Sequence, residues 1–394
     1  MAQGLDLSRF LLLPELKLHR VDNGKGGFLI EVSKTRAEFE ICRHCAKPTN
    51  ISYGKRWIKV RDEPFRQKCV TLKIQKRRYY CKPCKRAFME PIPGIWPGRR
   101  TTQRFREAIR FACTRYSNLS EVRRDFRCSS GLVYKAYYDQ LELKLREYQP
   151  GWPKAVGVDE HFFSRAQGFT EFTTVFADLT KSRLREAILG KDKKTVLSKV
   201  GHIKNGDQVK WAVIDMSDTY RSIVRSLFPF AHIVADKFHV LRLPTPQLIK
   251  ERKNIAGFKK DLPTRRLLLS SRERLEYWQC DKIDRYIADK PKLKELYVLK
   301  ERLHTLYRTR NPSRARETLD NLIFEAKNST FEELRRMGRT LKSWRSEILN
   351  YFECRLTNAR TEAFNNTGKL VMKRAYGYKN HKNYRLRLLS ACLH

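Results

Sequence analysis

The chain has 394 residues, 83 of them Lys or Arg against 42 Asp or Glu, for a formal net charge of +41 and a pI ≈ 10.1. A hydrophobic fraction of 41% is enough to pack a core in two or three domains and excludes a disordered chain. The basic excess runs through every segment, so the expected partner is a polyanion, DNA or RNA. No apolar run approaches the ~20 residues that span a bilayer, and no signal peptide opens the chain. The expectation is an intracellular protein whose ten cysteines are metal ligands or buried thiols, not disulfides.

Residues 1–41 alternate apolar and polar around "GGFLIEVSKT" and "AEFEI", which predicts a small β-hairpin. Cys42-Arg-His-Cys45 follows and is answered by Cys81-Lys-Pro-Cys84, with "VTLKIQKRRYYC" reading as a strand that feeds the second pair. Two CxxC pairs in this spacing are a zinc-ribbon pattern: each forms a tight knuckle, and four thiolates close a tetrahedral structural site. Cys69 and His44 lie nearby and read as a core thiol and a surface imidazole. Residues 1–92 are therefore expected to form a β-rich zinc-binding domain.

"PIPGIWPGRR" holds three prolines and two glycines and reads as a linker. Thr101–Tyr116 is helical by period, Ser120 is expected to cap a short helix in "EVRRDF", and Ser129 or Ser130 a longer one in "GLVYKAYYDQLELKL". That order predicts a helix-turn-helix DNA-binding domain over residues 98–148, with Arg123, Arg124 and Lys135 among its basic contacts. "EYQPGWPK" reads as a second linker.

From Lys154 the pattern becomes α/β. "KAVGVDEHF" runs an apolar stretch into Asp159, "FTEFTTVFADLT" and "LREAILG" suit antiparallel strands, and "DKKTVLSKVGHI" is helical. In "KWAVIDMSDTYRSIVRSLFPFAHIVADKFHV" two apolar runs end in Asp215 and Asp236 around a helical segment, a βαβ unit whose parallel strands carry both acids to one carboxyl edge. Taken singly, each Asp reads as a cap or turn residue; three strand-end acids together predict an acidic metal site. Three antiparallel strands, a helix and then parallel strands is the order of the ribonuclease H-like fold, in which Asp159 and Asp215 take the positions of the first two acids. Asp218 also lies near the second position, with Asp236 the runner-up to Asp215.

The first part of this catalytic domain is expected at 154–241. Residues 242–352 lose the strand signal and read as an amphipathic helical insertion, in which "FEELRRMGRTLKSWRSEILNYF" forms one helix. Residues 353–394 return to the domain with a final helix and a basic end. Glu362 opens that helix, Asn365 and Asn366 follow on its next turn, and Lys369, Lys373 and Arg374, interleaved with tyrosines, suit phosphate and base contacts. For Glu362 alone, the alternative is a carboxylate favoured by the helix dipole.

The paired CxxC, "GVDEHF", "VIDMS", "FPFAHIVADKFHV" and "TNARTEAFNNTGKLVMKRAYGYKN" resemble, over nearly the whole length, the ISL-three family of bacterial insertion-sequence transposases of the DDE type. The resemblance implies an α/β protein: a ribonuclease H-like mixed-sheet catalytic domain with a helical insertion, preceded by a zinc ribbon and a helix-turn-helix. It implies Asp159, Asp215 and Glu362 as catalytic acids, with Asp236 and His239 of the acid-x-x-His element in support. Two Mg²⁺ (or Mn²⁺) ions suit the hard carboxylate donors, with Asp159 shared between them and Asp215 and Glu362 holding one each; zinc belongs to Cys42, Cys45, Cys81 and Cys84. The expected partners are terminal inverted repeats and target DNA, on which the protein acts as at least a homodimer, in the cytoplasm at the nucleoid. The rival readings are a ribonuclease H-like nuclease or resolvase, and a catalytically inactive DNA-binding regulator.

Overall fold

The computed structural model describes residues 13, 15–24, 26–116, 118–147, 151–166, 169–256 and 262–392. The chain divides into two compact units, Met1–Arg146 with Arg374–Gly377, and Glu147–Lys373 with Tyr378–His394.

In the first unit, β1 (Leu16–Gly24) and β2 (Gly27–Lys34) form an antiparallel hairpin. β3 (Glu40–Ile41) and β4 (Pro48–Thr49) form a short ribbon around Cys42 and Cys45. β5 (Ser52–Phe65), β6 (Lys68–Cys81) and β7 (Arg86–Met89) complete the larger sheet, β6 pairing parallel with β2 and antiparallel with β5 and β7. Alternation along β6 buries Val70, Leu72 and Ile74 against Val32, Val60, Ile92 and Ile95, the period of a sheet with one face covered.

The expected linker at 91–100 is instead packed structure. Ile92 and Ile95 enter that core, Gly94 turns the chain at φ 77°, and Arg61 bridges Thr101. α1 (Gln103–Arg115) starts at Thr102, whose hydroxyl both caps the helix and donates 2.6 Å to buried Asp62 on β5; Arg104 pairs with the same carboxylate. α2 (Leu119–Asp125) is capped by Asn118, whose side chain accepts from the Glu121 N–H. Ser120, expected as the cap, lies inside the helix, whose N-cap is Asn118, two residues earlier. α3 (Ser130–Glu147) begins where Ser129 Oγ accepts from the Leu132 N–H at 3.2 Å.

In the second unit, β8 (Ala155–Ala166), β9 (Phe169–Asp178) and β10 (Arg183–Leu189) form an antiparallel meander. After α4 (Lys193–Val200), β11 (Trp211–Ile214) runs parallel to β8. After α5 (Asp218–Leu227), capped by Ser217, β12 (His232–Ala235) runs parallel to β11. The sheet order is β10-β9-β8-β11-β12. β11 and β12 are almost wholly buried, as parallel strands covered on both faces require.

Then come α6 (Lys237–Arg242), α7 (Thr245–Ala256), α8 (Leu262–Leu269), α9 (Tyr277–Ile287), α10 (Pro291–Arg308), α11 (Pro312–Asn328), α12 (Glu332–Ser343) and α13 (Arg345–Cys354). The helix expected over 331–352 is two helices. Trp344 leaves helical geometry at φ −105°, ψ 15° and buries its ring, with the Arg221 guanidinium stacked 3.6 Å above it. α14 (Ala359–Arg374) and α15 (His381–Ala391) close the chain. Arg385 of α15 pairs with Glu186 of β10 at 2.5 Å, and Asn350 of α13 donates 2.7 Å to the Ile233 carbonyl of β12.

Candidate active site and candidate metal centre

In the first unit the four CxxC sulfurs converge. Cys42 Sγ lies 3.5 Å from Cys84 Sγ, and Cys45 Sγ 3.5 Å from Cys81 Sγ; all four fall within 4.8 Å of one another. A tetrahedral Zn–S₄ centre with bonds of about 2.3 Å needs sulfurs about 3.8 Å apart, so the donor set and spacing fit zinc. Burial alone would raise the Cys42 thiol, but the His44 and Cys45 amides and the neighbouring thiols bring it down to about 6. Cys69 accepts from Arg61 at 3.1 Å and His44 is exposed; neither joins the cluster.

In the second unit the acid row follows from strand register. Val213 pairs with Gly157, and Ile214 with Ala235. Carried forward, the same register sets Asp159, Asp215 and Asp236 level across three adjacent strands. Asp159 does not end its strand, as the sequence suggested. β8 continues to Ala166 in its pairing with β9, and it is β11 that stops beside it. A cavity of about 220 Å³ at this edge is lined by Asp159, Asp236, His239, Asn358 and Glu362.

His239 Nδ1 lies 2.9 Å from Asp215 Oδ1 and 3.1 Å from Asp236 Oδ2. Its hydrogen bond goes to Asp236, which leaves the buried Asp215 Oδ1 without an aligned donor. The Asp215 carboxylate, then that of Asp236, holds His239 up at about 10 despite its partial burial. The other Asp236 oxygen accepts from the Asn358 N–H at 2.9 Å, and Asn358 Nδ2 donates 2.8 Å to the Val158 carbonyl. Burial first, and then the Asp215 charge, pushes Asp159 up to about 7. Asp215, Asp236 and His239 bring their ligand atoms within 4.8 Å of one another, and crowded carboxylates are what a divalent cation with hard oxygen ligands would relieve, so these residues fit Mg²⁺.

α14 is held close to β8. A Cβ on Gly157 would fall on Thr361 Oγ1 and Asn358 Oδ1 at the start of α14, so only glycine lets the helix approach there. Glu362 on the first turn is exposed and faces the cavity. The sequence alone does not single out Asn358, His161 or Tyr384. The available signal was strand period: His161 follows Asp159 by two residues and shares its face. Arg123, Arg124, Lys135, Lys369, Lys373 and Arg374 are all exposed.

A basic α/β chain with an acid cluster on one sheet edge and a separate four-thiol centre has the make-up of an enzyme that acts on nucleic acid. A family model described as Transposase, of the ISL3 group of DDE transposases, matches residues 156–388. A second, described as the zinc-finger of transposase IS204/IS1001/IS1096/IS1165, matches residues 38–84 and spans all four cysteines. The chain is 26% identical over 372 residues to the transposase for insertion sequence element IS1001 of Bordetella parapertussis, an alignment covering 91% of this chain and 90% of that protein. The chain belongs to the ISL3 transposase family. It is an insertion-sequence transposase with a zinc-ribbon region, an enzyme that cuts and transfers DNA. None of the described helices is long and apolar enough to cross a membrane.

Proposed function

We propose that the protein binds the terminal inverted repeats of its element and catalyses two successive phosphoryl transfers at the Asp159–Asp215–Glu362 edge of a ribonuclease H-like domain. Hydrolysis at the element's end frees a 3′-OH, which then attacks a phosphodiester of the target DNA in the same site, joining to its 5′-phosphate and releasing a target 3′-OH. The observation that carries this reading is the register that sets three aspartates level, with Glu362 on the same cavity. Asp159, Asp215 and Glu362 would hold two divalent ions, Mg²⁺ or Mn²⁺, which when bound supply water activation and stabilise the leaving oxygen.

The protein's own groups prepare the site. By the strand order Asp215 stands between Asp159 and Asp236; Asp159, which lines the cavity with Glu362, is taken as the group to be shared. His239 Nδ1 is shared by Asp215 and Asp236, at 2.9 and 3.1 Å, but Asp236 also accepts from the Asn358 N–H with its other oxygen; we therefore take Asp236 as support and Asp215 as the ligand. His239 neutralises the Asp215–Asp236 pair and fixes the direction of both carboxylates. Asn358 ties Asp236 and β8 to the start of α14 and so places Glu362.

We assign residues 1–92 to the zinc domain, 98–148 to a helix-turn-helix built of α1–α3, and 242–352 to the insertion between the two parts of the catalytic domain, 154–241 and 353–394. Arg123, Arg124, Lys135, Lys369, Lys373 and Arg374 contact DNA phosphates, and the protein acts as a dimer or larger on paired ends. The test is cleavage of the element's own end DNA with Mg²⁺ or EDTA, followed by strand transfer of a labelled end. Joined product only with Mg²⁺ supports the reading; hydrolysis without joining would favour a nuclease or resolvase, and neither would favour an inactive regulator.

A further inference from the structure

We propose that Asn365, backed by His161 and Tyr384, is a positioning relay that fixes the rotamer of Asp159 and the rotation of α14 together, and so sets the affinity of the site for divalent metal. The proposal rests on the reading of Asp159 as a metal-holding acid.

Asn365 Nδ2 donates to Asp159 Oδ2 at 2.7 Å, across 206 residues of chain. Its Oδ1 lies 2.9 Å from His161 Nδ1, and His161 Nε2 lies 2.6 Å from the Tyr384 hydroxyl. All three side chains are buried, and Tyr384 is wholly enclosed among Phe163, Tyr378 and His381. The chain has one workable direction. A carboxylate can only accept, so the Asn365 amide donates to it and its carbonyl must accept from His161 Nδ1–H. The neutral ring then offers Nε2 as acceptor to the Tyr384 O–H. Turning the Asn365 amide over would set its carbonyl against the Asp159 carboxylate.

Three features tie the relay to the site rather than to packing alone. First, it ends on Asp159, which lies level with Asp215 on the adjacent strand and lines the cavity with Glu362. The Glu160 N–H takes Asp159 Oδ1 at 2.7 Å and Asn365 takes Oδ2. Each oxygen keeps one lone pair for the cavity, and the carboxylate cannot rotate. Second, Asn365 stands one turn beyond Glu362, so the bond that orients Asp159 also fixes the rotation of the helix that delivers Glu362. No local sequence constraint does this, because the whole insertion lies between β8 and α14. Third, α14 turns Thr361, Asn365 and Gly368 inward, and a Cβ at Gly368 would fall on the Tyr384 hydroxyl. The helix thus keeps space for the relay where an apolar side chain would pack at less desolvation cost.

The test uses the full chain and Asn365→Ala. It compares direct titration of Mn²⁺ without DNA, the Mg²⁺ concentration for half-maximal end cleavage, end binding in Ca²⁺, and the melting temperature in EDTA. The expected result is Mn²⁺ affinity about 10–100-fold weaker, as for other residues that orient metal ligands, with a matching rise in the Mg²⁺ requirement and unchanged end binding. His161→Gln and Tyr384→Phe should weaken Mn²⁺ binding in the same direction, Tyr384→Phe least, and they carry the test if Asn365→Ala does not fold. Wild-type Mn²⁺ affinity in the folded variants, beside an Asp159→Asn protein that neither binds Mn²⁺ tightly nor cleaves, overturns the relay and leaves the acid assignment standing. An Asp159→Asn protein that cleaves normally overturns the assignment itself.

Discussion

Gly157→Ala tests how the site is assembled without touching an acid. The new methyl would lie inside contact distance of Thr361 Oγ1 and Asn358 Oδ1, with Leu179 Cδ2 3.1 Å away. Asn358 also donates to the Val158 carbonyl and, through its N–H, to Asp236, so the start of α14 cannot withdraw without loosening both bonds. Overpacking of this kind costs about 1–3 kcal/mol. At about 2–4 °C per kcal/mol for a folded unit of this size, the melting temperature should fall by roughly 2–12 °C. Glu362 sits on the displaced turn, and a misplacement of about 1 Å in a reacting constellation costs about 10²-fold in rate. Thermal unfolding and end cleavage at saturating Mg²⁺ measure the two effects. Gly131→Ala, with open space around it in the first turn of α3, is the control and should leave the melting temperature unchanged or slightly raised. A Gly157→Ala protein with wild-type melting and cleavage would refute the close approach of α14 to β8 as the device that positions Glu362.

Cys42→Ser or Cys81→Ser should abolish binding of one zinc per chain and unfold the knuckles, since the sulfurs share a small apolar cluster with Tyr79 and Phe88 and structural zinc supplies the folding energy; metal analysis finding no zinc in the wild-type protein would contradict this. Metal-free protein should lose stability as the pH rises. His239 binds its proton more tightly folded than unfolded, so its contribution is full below about 6.5 and lost towards about 10. Asp159 has its carboxyl pushed up to about 7, so ionising it costs stability over the range from 3.8 to about 7. Melting temperatures in EDTA from pH 6 to 9 should therefore fall, less steeply in His239→Gln; a rise would contradict the burial and pairing described. End-DNA affinity should drop with salt, and Arg123→Ala and Arg124→Ala should each reduce the log–log salt slope by about 1; unchanged slopes would remove α2 from the interface.

The parts of the fold legible in the sequence were those whose signal is local. Strand pairing of β11 and β12 followed from two short apolar runs around a helical period, and the zinc centre from two CxxC pairs whose chemistry depends on their own spacing. What escaped notice depended on contacts between distant segments. Ile92 and Ile95 sit among prolines and glycines that read as linker, yet a core formed by β2, β5 and β6 draws them in. Trp344 sits in an unbroken helical period, and only its buried packing under Arg221 shows why the helix ends there. Asn358 looks like a polar residue of a helix terminus and Asn365 like one on the turn after Glu362; their role exists only once β8 lies beside them. Asp159 was found as an acid at the end of an apolar run, but its strand continues, and the edge it occupies is set by where β11 stops.

The central claim is that Asp159, Asp215 and Glu362 hold the metal ions that make the protein cut and join DNA. It is tested most directly by cleavage and strand transfer of end DNA with Asp159→Asn, Asp215→Asn and Glu362→Gln, alongside Asp236→Asn. Each of the first three changes removes a charge at nearly constant volume, and should keep end binding while losing both reactions by several orders of magnitude, about 1.4 kcal/mol for each tenfold. Asp236→Asn should retain measurable cleavage. Normal cleavage by Asp215→Asn beside a dead Asp236→Asn would move the second acid to Asp236, and normal cleavage by either Asp159→Asn or Glu362→Gln would contradict the account outright.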